Sequence, residues 1–136
     1  SLRRRQRQMC IRDSICVDEK HMENVRERYG FTNLITTLRK SISASDNGWS
    51  GAVCSESGLY QGSGYNLHIV DRVGGGDSFA AGFLHGILTH MEPDRALEFA
   101  LAAAAIKHTI PGDLNYISEE EVLTLMNSDG SGRVNR

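Results

Sequence analysis

The sequence predicts an α/β fold. An apolar run over residues 67–70, broken by His68, leads into Asp71, three consecutive glycines, Asp77 and then a segment with helical spacing, which reads as strand, tight turn and helix N-terminus. Upstream, a helical pattern over 18–29 is followed by a β-branched, apolar stretch over 31–38, the helix–strand half of a βαβ repeat. Downstream of the glycines come two more apolar segments of helical period.

In the first helix, Asp18 is placed to cap the N-terminus, Met22, Val25 and Tyr29 share a face, and Gly30 stops the helix. Residues 31–38 should form a buried strand. The stretch 39–64 is richer in Ser, Gly and Asn, and 49–54 and 58–61 suit paired strands around a turn at Glu56-Ser57-Gly58. Residues 67–70 return to the sheet and deliver the glycines. Over 78–90, Phe79, Phe83 and Ile87 form one row at i, i+4, while Gly82 and Gly86 form a second that admits a close neighbour. Pro93 suits the first turn of a helix over 93–108, whose middle is apolar nearly all round and should be buried on more than one face. Ser118 with Glu121 forms a capping box, and Ile117 with Val122 a hydrophobic staple, for a last helix over 118–126. No internal repeat is present.

The chemistry concentrates at Gly74, Gly75, Gly76 and Asp77. Glycines accept dihedrals closed to other residues and leave their N–H groups unshielded. Together with the positive end of a helix they make an anion site. A carboxylate there repels a bound anion, unless its task is to take a proton from a hydroxyl while the N–H groups hold a phosphate. The plainer alternative is a tight turn with Asp77 as an ordinary first-turn acid. A Walker loop is excluded because no Gly-Lys-Ser/Thr follows, and a dinucleotide fingerprint because Phe79 stands where its third glycine belongs.

Asp71-Arg72-Val73-Gly74-Gly75-Gly76-Asp77 resembles the C-terminal signature of the ribokinase-type (PfkB) sugar kinases, Asp-Thr-x-Gly-Ala-Gly-Asp, with Arg72 in place of Thr and Gly75 in place of Ala. The resemblance extends to Thr37-Leu38-Arg39, to the Ser-rich segment 41–49, to Ile110-Pro111-Gly112-Asp113-Leu114-Asn115 and to the tail 129–134, and is nearest the bacterial members that act on 2-keto-3-deoxygluconate. It runs from about Val17 onward and covers the C-terminal part of such a kinase.

It implies the C-terminal portion of a ribokinase-like three-layer α/β/α sandwich and ATP-dependent phosphorylation of a sugar acid. Asp77 would be the catalytic base, Gly74, Gly75 and Gly76 the phosphate-binding anion hole, and Thr37 and Arg39 would face the nucleotide phosphates. Ala103 and Ala104 would admit the adenine. Asp71 would lie near the metal–phosphate or monovalent-cation region, with the Pro111-Gly112-Asp113 turn alongside. The implied cofactors are ATP and Mg²⁺, with a monovalent cation as an option, although the small-residue pattern ribokinase uses for that cation is lacking. Competing readings are another family sugar kinase, such as a fructokinase or ribokinase, and a non-catalytic nucleotide-binding fragment lacking the sugar-holding strands and lid. For Asn47 and Trp49 the residues favour an Asx-type turn and a core aromatic.

The boundaries follow from composition. Residues 1–14 are basic without amphipathic pattern and read best as a non-native, adapter-like leader; a nucleic-acid arm or a targeting peptide are the alternatives. Residues 15–126 would form the partial kinase domain and 127–136 a loose polar tail. The formal charge is −2, and without the five Arg and one Asp of residues 1–14 it is −6, which argues against nucleic acid as a partner. No apolar run approaches the roughly 20 residues of a membrane span. Cys10, Cys16 and Cys54 lack metal-ligand spacing, so a reduced, cytoplasmic chain is expected, with oligomerisation left open.

Overall fold

The computed structural model describes residues 17–128. The basic leader, Cys10, Cys16 and residues 129–136 of the tail lie outside the described residues. The order is α1 (Glu19–Tyr29), β1 (Leu34–Ser41), β2 (Asp46–Ser55), β3 (Gly58–Gln61), β4 (Tyr65–His68), α2 (Gly75–Leu88), α3 (Pro93–Lys107) and α4 (Glu119–Asn127). β2 is central: β1 pairs along one edge, while β3 and β4 share the other end to end. α1 packs on one face of the sheet and α3 on the other, with α2 and α4 against α3. The result is three layers, as expected.

The local signals act as anticipated. Asp18 Oδ1 accepts from the His21 N–H, and Gly30 ends α1 at φ 67°. Ser118 and Glu121 form the reciprocal capping box of α4. The β2–β3 hairpin turns at Glu56-Ser57, with Ser55 opposite Gly58.

Two expectations need correction. β1 starts at Leu34, three residues later than the sequence suggested, runs on to Ser41, and is half-buried to exposed rather than buried. It also does not open a parallel βαβ unit: every ladder among the described residues is antiparallel. The cause is the 42–45 turn. Ser43 Oγ accepts from the Ser45 and Asp46 N–H groups and donates to Asp46 Oδ2, folding the chain straight back on itself. That turn, rather than Asn47, supplies the side-chain-bonded bend. Asn47 lies within β2, 2% exposed, and its carboxamide has no partner among the described residues. Trp49 is a core aromatic, edge-on to Phe79.

α3 is the buried centre, with Leu97, Ala100, Leu101, Ala102, Ala104 and Ala105 fully shielded from solvent. Its neighbours reach it through glycines. A Cβ at Gly62 would sit 2.4 Å from Leu101 Cδ1, and one at Gly51 would sit 3.2 Å from Leu101 Cδ2. On the opposite side, a Cβ at Gly82 would lie 2.9 Å from Ala100 Cα. Glu98 Oε1 adds a polar tie, accepting from Tyr60 Oη, Ser63 N and Ser63 Oγ.

The small-residue row on α2 therefore sets the α2–α3 distance. In Gly86→Ala the new Cβ would stand 2.7 Å from Ala96 Cβ and 2.9 Å from Ala96 Cα. Overpacking costs about 1–3 kcal/mol, against about 1 kcal/mol of gained helix propensity. Urea unfolding should show Gly86→Ala less stable than wild type. Gly76→Ala, with nothing within 4 Å of its Cβ, should be at least as stable as wild type. Equal stabilities for the two variants would contradict the close-approach explanation.

Candidate functional site

The site forms where β4 ends and α2 begins. The Val70 and Asp71 N–H groups both donate to His108 O, at 2.9 and 3.2 Å, so the loop is tied to the C-terminal end of α3. Gly74 is the N-cap of α2 with φ 79°, a left-handed conformation that favours glycine, and no side chain caps the helix. A Cβ at Gly74 would also come within 3.2 Å of Asp113 O and Lys107 Cε. A helix leaves the N–H groups of its first turn without intrahelical acceptors. At α2 no side chain caps them, and the Gly75 N–H reaches Arg72 O only at 3.5 Å, so they stand as donors at the positive end of the helix. Asp77 lies in that first turn and is exposed.

Asp71 braces the loop. Its Oδ1 accepts from the Val73 N–H at 3.0 Å and its Oδ2 from the Gly112 N–H at 2.8 Å. These N–H groups, Val73 first, hold the carboxyl below the usual carboxylate range. Lys107, fully buried, donates from Nζ to Ile110 O at 3.2 Å and to Gly112 O at 2.7 Å. Gly112 is thus gripped through its N–H by Asp71 and through its C=O by Lys107.

His108 lies beneath Gly75 and is fully buried. Its Nδ1 donates to Ala104 O at 2.6 Å, which fixes the proton on that nitrogen, and Nε2 has no partner among the described residues. Burial pushes its pKa below the ordinary histidine value, and the charges of Arg39, Lys107 and Arg72 push the same way. Arg39 lies over the Trp49 ring, 5.5 Å from its centroid, and is paired with Trp49 in the β1–β2 ladder. Thr37, opposite Gly51, shares that strand face with Arg39. Arg72 donates to Ala44 O at 3.1 Å. The positive charges of Arg39, Lys107 and Arg72 therefore all act on the histidine under the glycine loop.

Beside the loop, α2, α3 and the start of α4 line an open cleft of about 230 Å³. Gly82 and Ala103 give it small walls, Phe99 and His85 aromatic ones, and Ser78 and Asn115 polar ones. Asn115 Nδ2 donates to Ser78 Oγ at 2.8 Å, and His85 contacts Glu119 at 3.2 Å, so the cleft is pinned across both ends. Ala103 lines the cleft; Ala104 lies in the core, its carbonyl bonded to His108.

The structure brings Asp71, Gly74, Gly75, Gly76 and Asp77 into one loop and puts Arg39 within electrostatic reach of the histidine below it. Sequence reasoning missed Lys107, His108, Asn115, Ser78 and His85. Lys107 is the last residue of the apolar helix and His108 its C-cap, where basic residues read as an ordinary helix end. The Gly75 departure from the family pattern was the available signal: an alanine Cβ there would stand 2.5 Å from His108 Cε1 and 2.7 Å from Nε2.

An uncapped glycine turn opening a helix, next to a mixed polar and aromatic cleft in a three-layer α/β/α frame, has the geometry that an anion with an attached ring would require. The pfkB family carbohydrate kinase model matches residues 45–119, more than half of the chain, and the chain belongs to that family. The crystal structure of 2-dehydro-3-deoxygluconokinase from Thermotoga maritima is 44% identical, with a TM-score of 0.77, over 79% of this chain and 33% of that one. A 2-dehydro-3-deoxygalactonokinase of Haloferax volcanii is 30% identical over 62% of this chain and 27% of its own length. An ATP-dependent ribose-1-phosphate kinase of Halopiger xanaduensis is 42% identical over 48% of this chain and 22% of its own length. The chain thus spans a third or less of the length of each.

Gly75 and His108 should behave as a coupled pair. Gly75→Ala alone should destabilise the protein, while the same change in a His108→Ala background should cost little, a coupling of about 0.5–3 kcal/mol in denaturant unfolding. Additive effects would show that the two positions are independent.

Proposed function

We propose that the protein acts in ATP-dependent phosphorylation of 2-keto-3-deoxygluconate to its 6-phosphate. The observation that carries the kinase reading is the uncapped, glycine-only N-terminus of α2 with Asp77 exposed in its first turn. The choice of sugar acid is supported by the 44% identity to the Thermotoga maritima 2-dehydro-3-deoxygluconokinase.

In this reading the N–H groups of Gly74 to Asp77 hold the oxygens of the transferring phosphoryl group, and Asp77 takes the proton of the attacking hydroxyl. Arg39 offers its guanidinium to the nucleotide phosphates, with Thr37 beside it on β1. The cleft lined by Ala103, Gly82 and Phe99 takes the planar base, with Asn115 and Ser78 as its polar contacts. Bound Mg²⁺ would neutralise charge on the nucleotide phosphates. No group of three or more His, Cys, Asp or Glu side chains that could hold a metal occurs among the described residues, so the ion would ride on the phosphates. Asp71, with one backbone bond per oxygen, is the carboxylate nearest the loop's start.

The matched galactono- and ribose-phosphate kinases favour a second reading, another sugar acid or sugar phosphate as acceptor. A panel of acceptors with ATP separates these. A nucleotide-binding fragment without turnover remains the non-enzymatic alternative. We place the protein in the cytoplasm, consistent with the buried free thiol of Cys54.

Asp77→Asn, made in the product of the full reading frame that encodes this chain, should lower kcat by about 10²–10⁴ with little change in nucleotide affinity. Near-normal turnover would remove Asp77 from the role of base.

A further inference from the structure

The C-terminal end of α3, beside Gly74, carries a charge that the phosphate-loop reading does not require and that burial makes costly. Lys107 is 0% exposed, and its ammonium is satisfied by two main-chain carbonyls, Ile110 O at 3.2 Å and Gly112 O at 2.7 Å. Burying an ammonium is tolerated when it is hydrogen-bonded and faces countercharge. Here the countercharge is Asp71, whose carboxylate binds the N–H of the same Gly112 residue whose carbonyl binds the ammonium. Carbonyl oxygens converging on one point, with a carboxylate nearby, are also the ligand set of a potassium-like cation. A monovalent cation placed among the 110–112 carbonyls would have to displace Lys107 Nζ, whose Cε already abuts Gly74. The residues present therefore do not fit such an ion.

We propose that the Lys107 ammonium is the built-in cation of this site: it holds the 110–113 turn against the glycine loop and supplies fixed positive charge beneath it, so that the protein needs no monovalent cation. Lys107 is a positioning residue, acting through Gly112 and Gly74 rather than on substrate. The functional half of this inference rests on Gly74 to Asp77 being a phosphate loop; the structural half does not, and it can be tested without nucleotide.

The test is thermal unfolding of the full reading-frame product in potassium, ammonium, sodium or tetramethylammonium chloride at equal ionic strength. Wild type should melt within about 1 °C in all four salts. A saturable stabilisation of wild type by potassium over tetramethylammonium would overturn the inference. Lys107→Ala should melt lower by roughly 5–15 °C in tetramethylammonium and recover part of the loss in potassium or ammonium. Lys107→Met, whose side chain still fills the space, should show no such recovery. An alanine variant that gains nothing from either small cation would reduce Lys107 to packing and overturn the inference. If the alanine variant does not fold, the wild-type salt comparison decides alone. Repeating the melts with MgATP separates the two readings: cation independence without nucleotide binding retains the structural half of the inference and removes the phosphate loop with the functional half.

Discussion

Everything else in this chain depends on α3 being enclosed at close range. Eight of its residues are fully shielded from solvent, and five of those are alanines. Glycines at 51 and 62 admit it to the sheet, and glycines at 82 and 86 admit it to α2. Small side chains bring backbones together, so errors of a few tenths of an ångström are felt as strain. This precision reaches the functional loop because the C-terminal end of α3 carries it. His108 O receives two N–H groups from the strand exit, the His108 ring supports Gly75, and Lys107 supports the turn that closes over Gly74. The proposed anion site would therefore be built on a rigid helix even though its donors lie in a turn.

Electrostatics and packing reinforce each other there. The α2 N-terminus is positive through its uncapped N–H groups. Burial and the charges of Arg39, Lys107 and Arg72 disfavour protonation of His108. The buried ring packs directly under Gly75 and gives the glycines a firm floor.

Local chemistry was legible in the sequence because its causes are local. The Asp18 and Ser118 caps, the Gly30 stop, the Gly82–Gly86 row and the glycine loop each depend on residues a few positions apart. The antiparallel course of β1 was less legible, since a helix followed by a β-branched strand suits a parallel repeat until the Ser43–Asp46 turn is seen to close. The Lys107 and His108 roles were hidden for a related reason. Their partners, Gly112, Gly74 and Gly75, are meaningful only once α3 and the loop are in contact. The glycine at 75, where the family signature has alanine, was a visible trace of that contact, but its cause, an imidazole occupying the space of a Cβ, needed coordinates.

In the proposed function the N-terminus of α2 and the cleft beside it bind one nucleotide. Hydrogen exchange with and without MgATP reports on the very amide groups proposed to hold the phosphates. The amides of residues 75–78 should exchange more slowly with nucleotide present, together with those of 115–119 along the cleft. Nucleotide binding that leaves both segments unchanged, or protects a different surface, would contradict it.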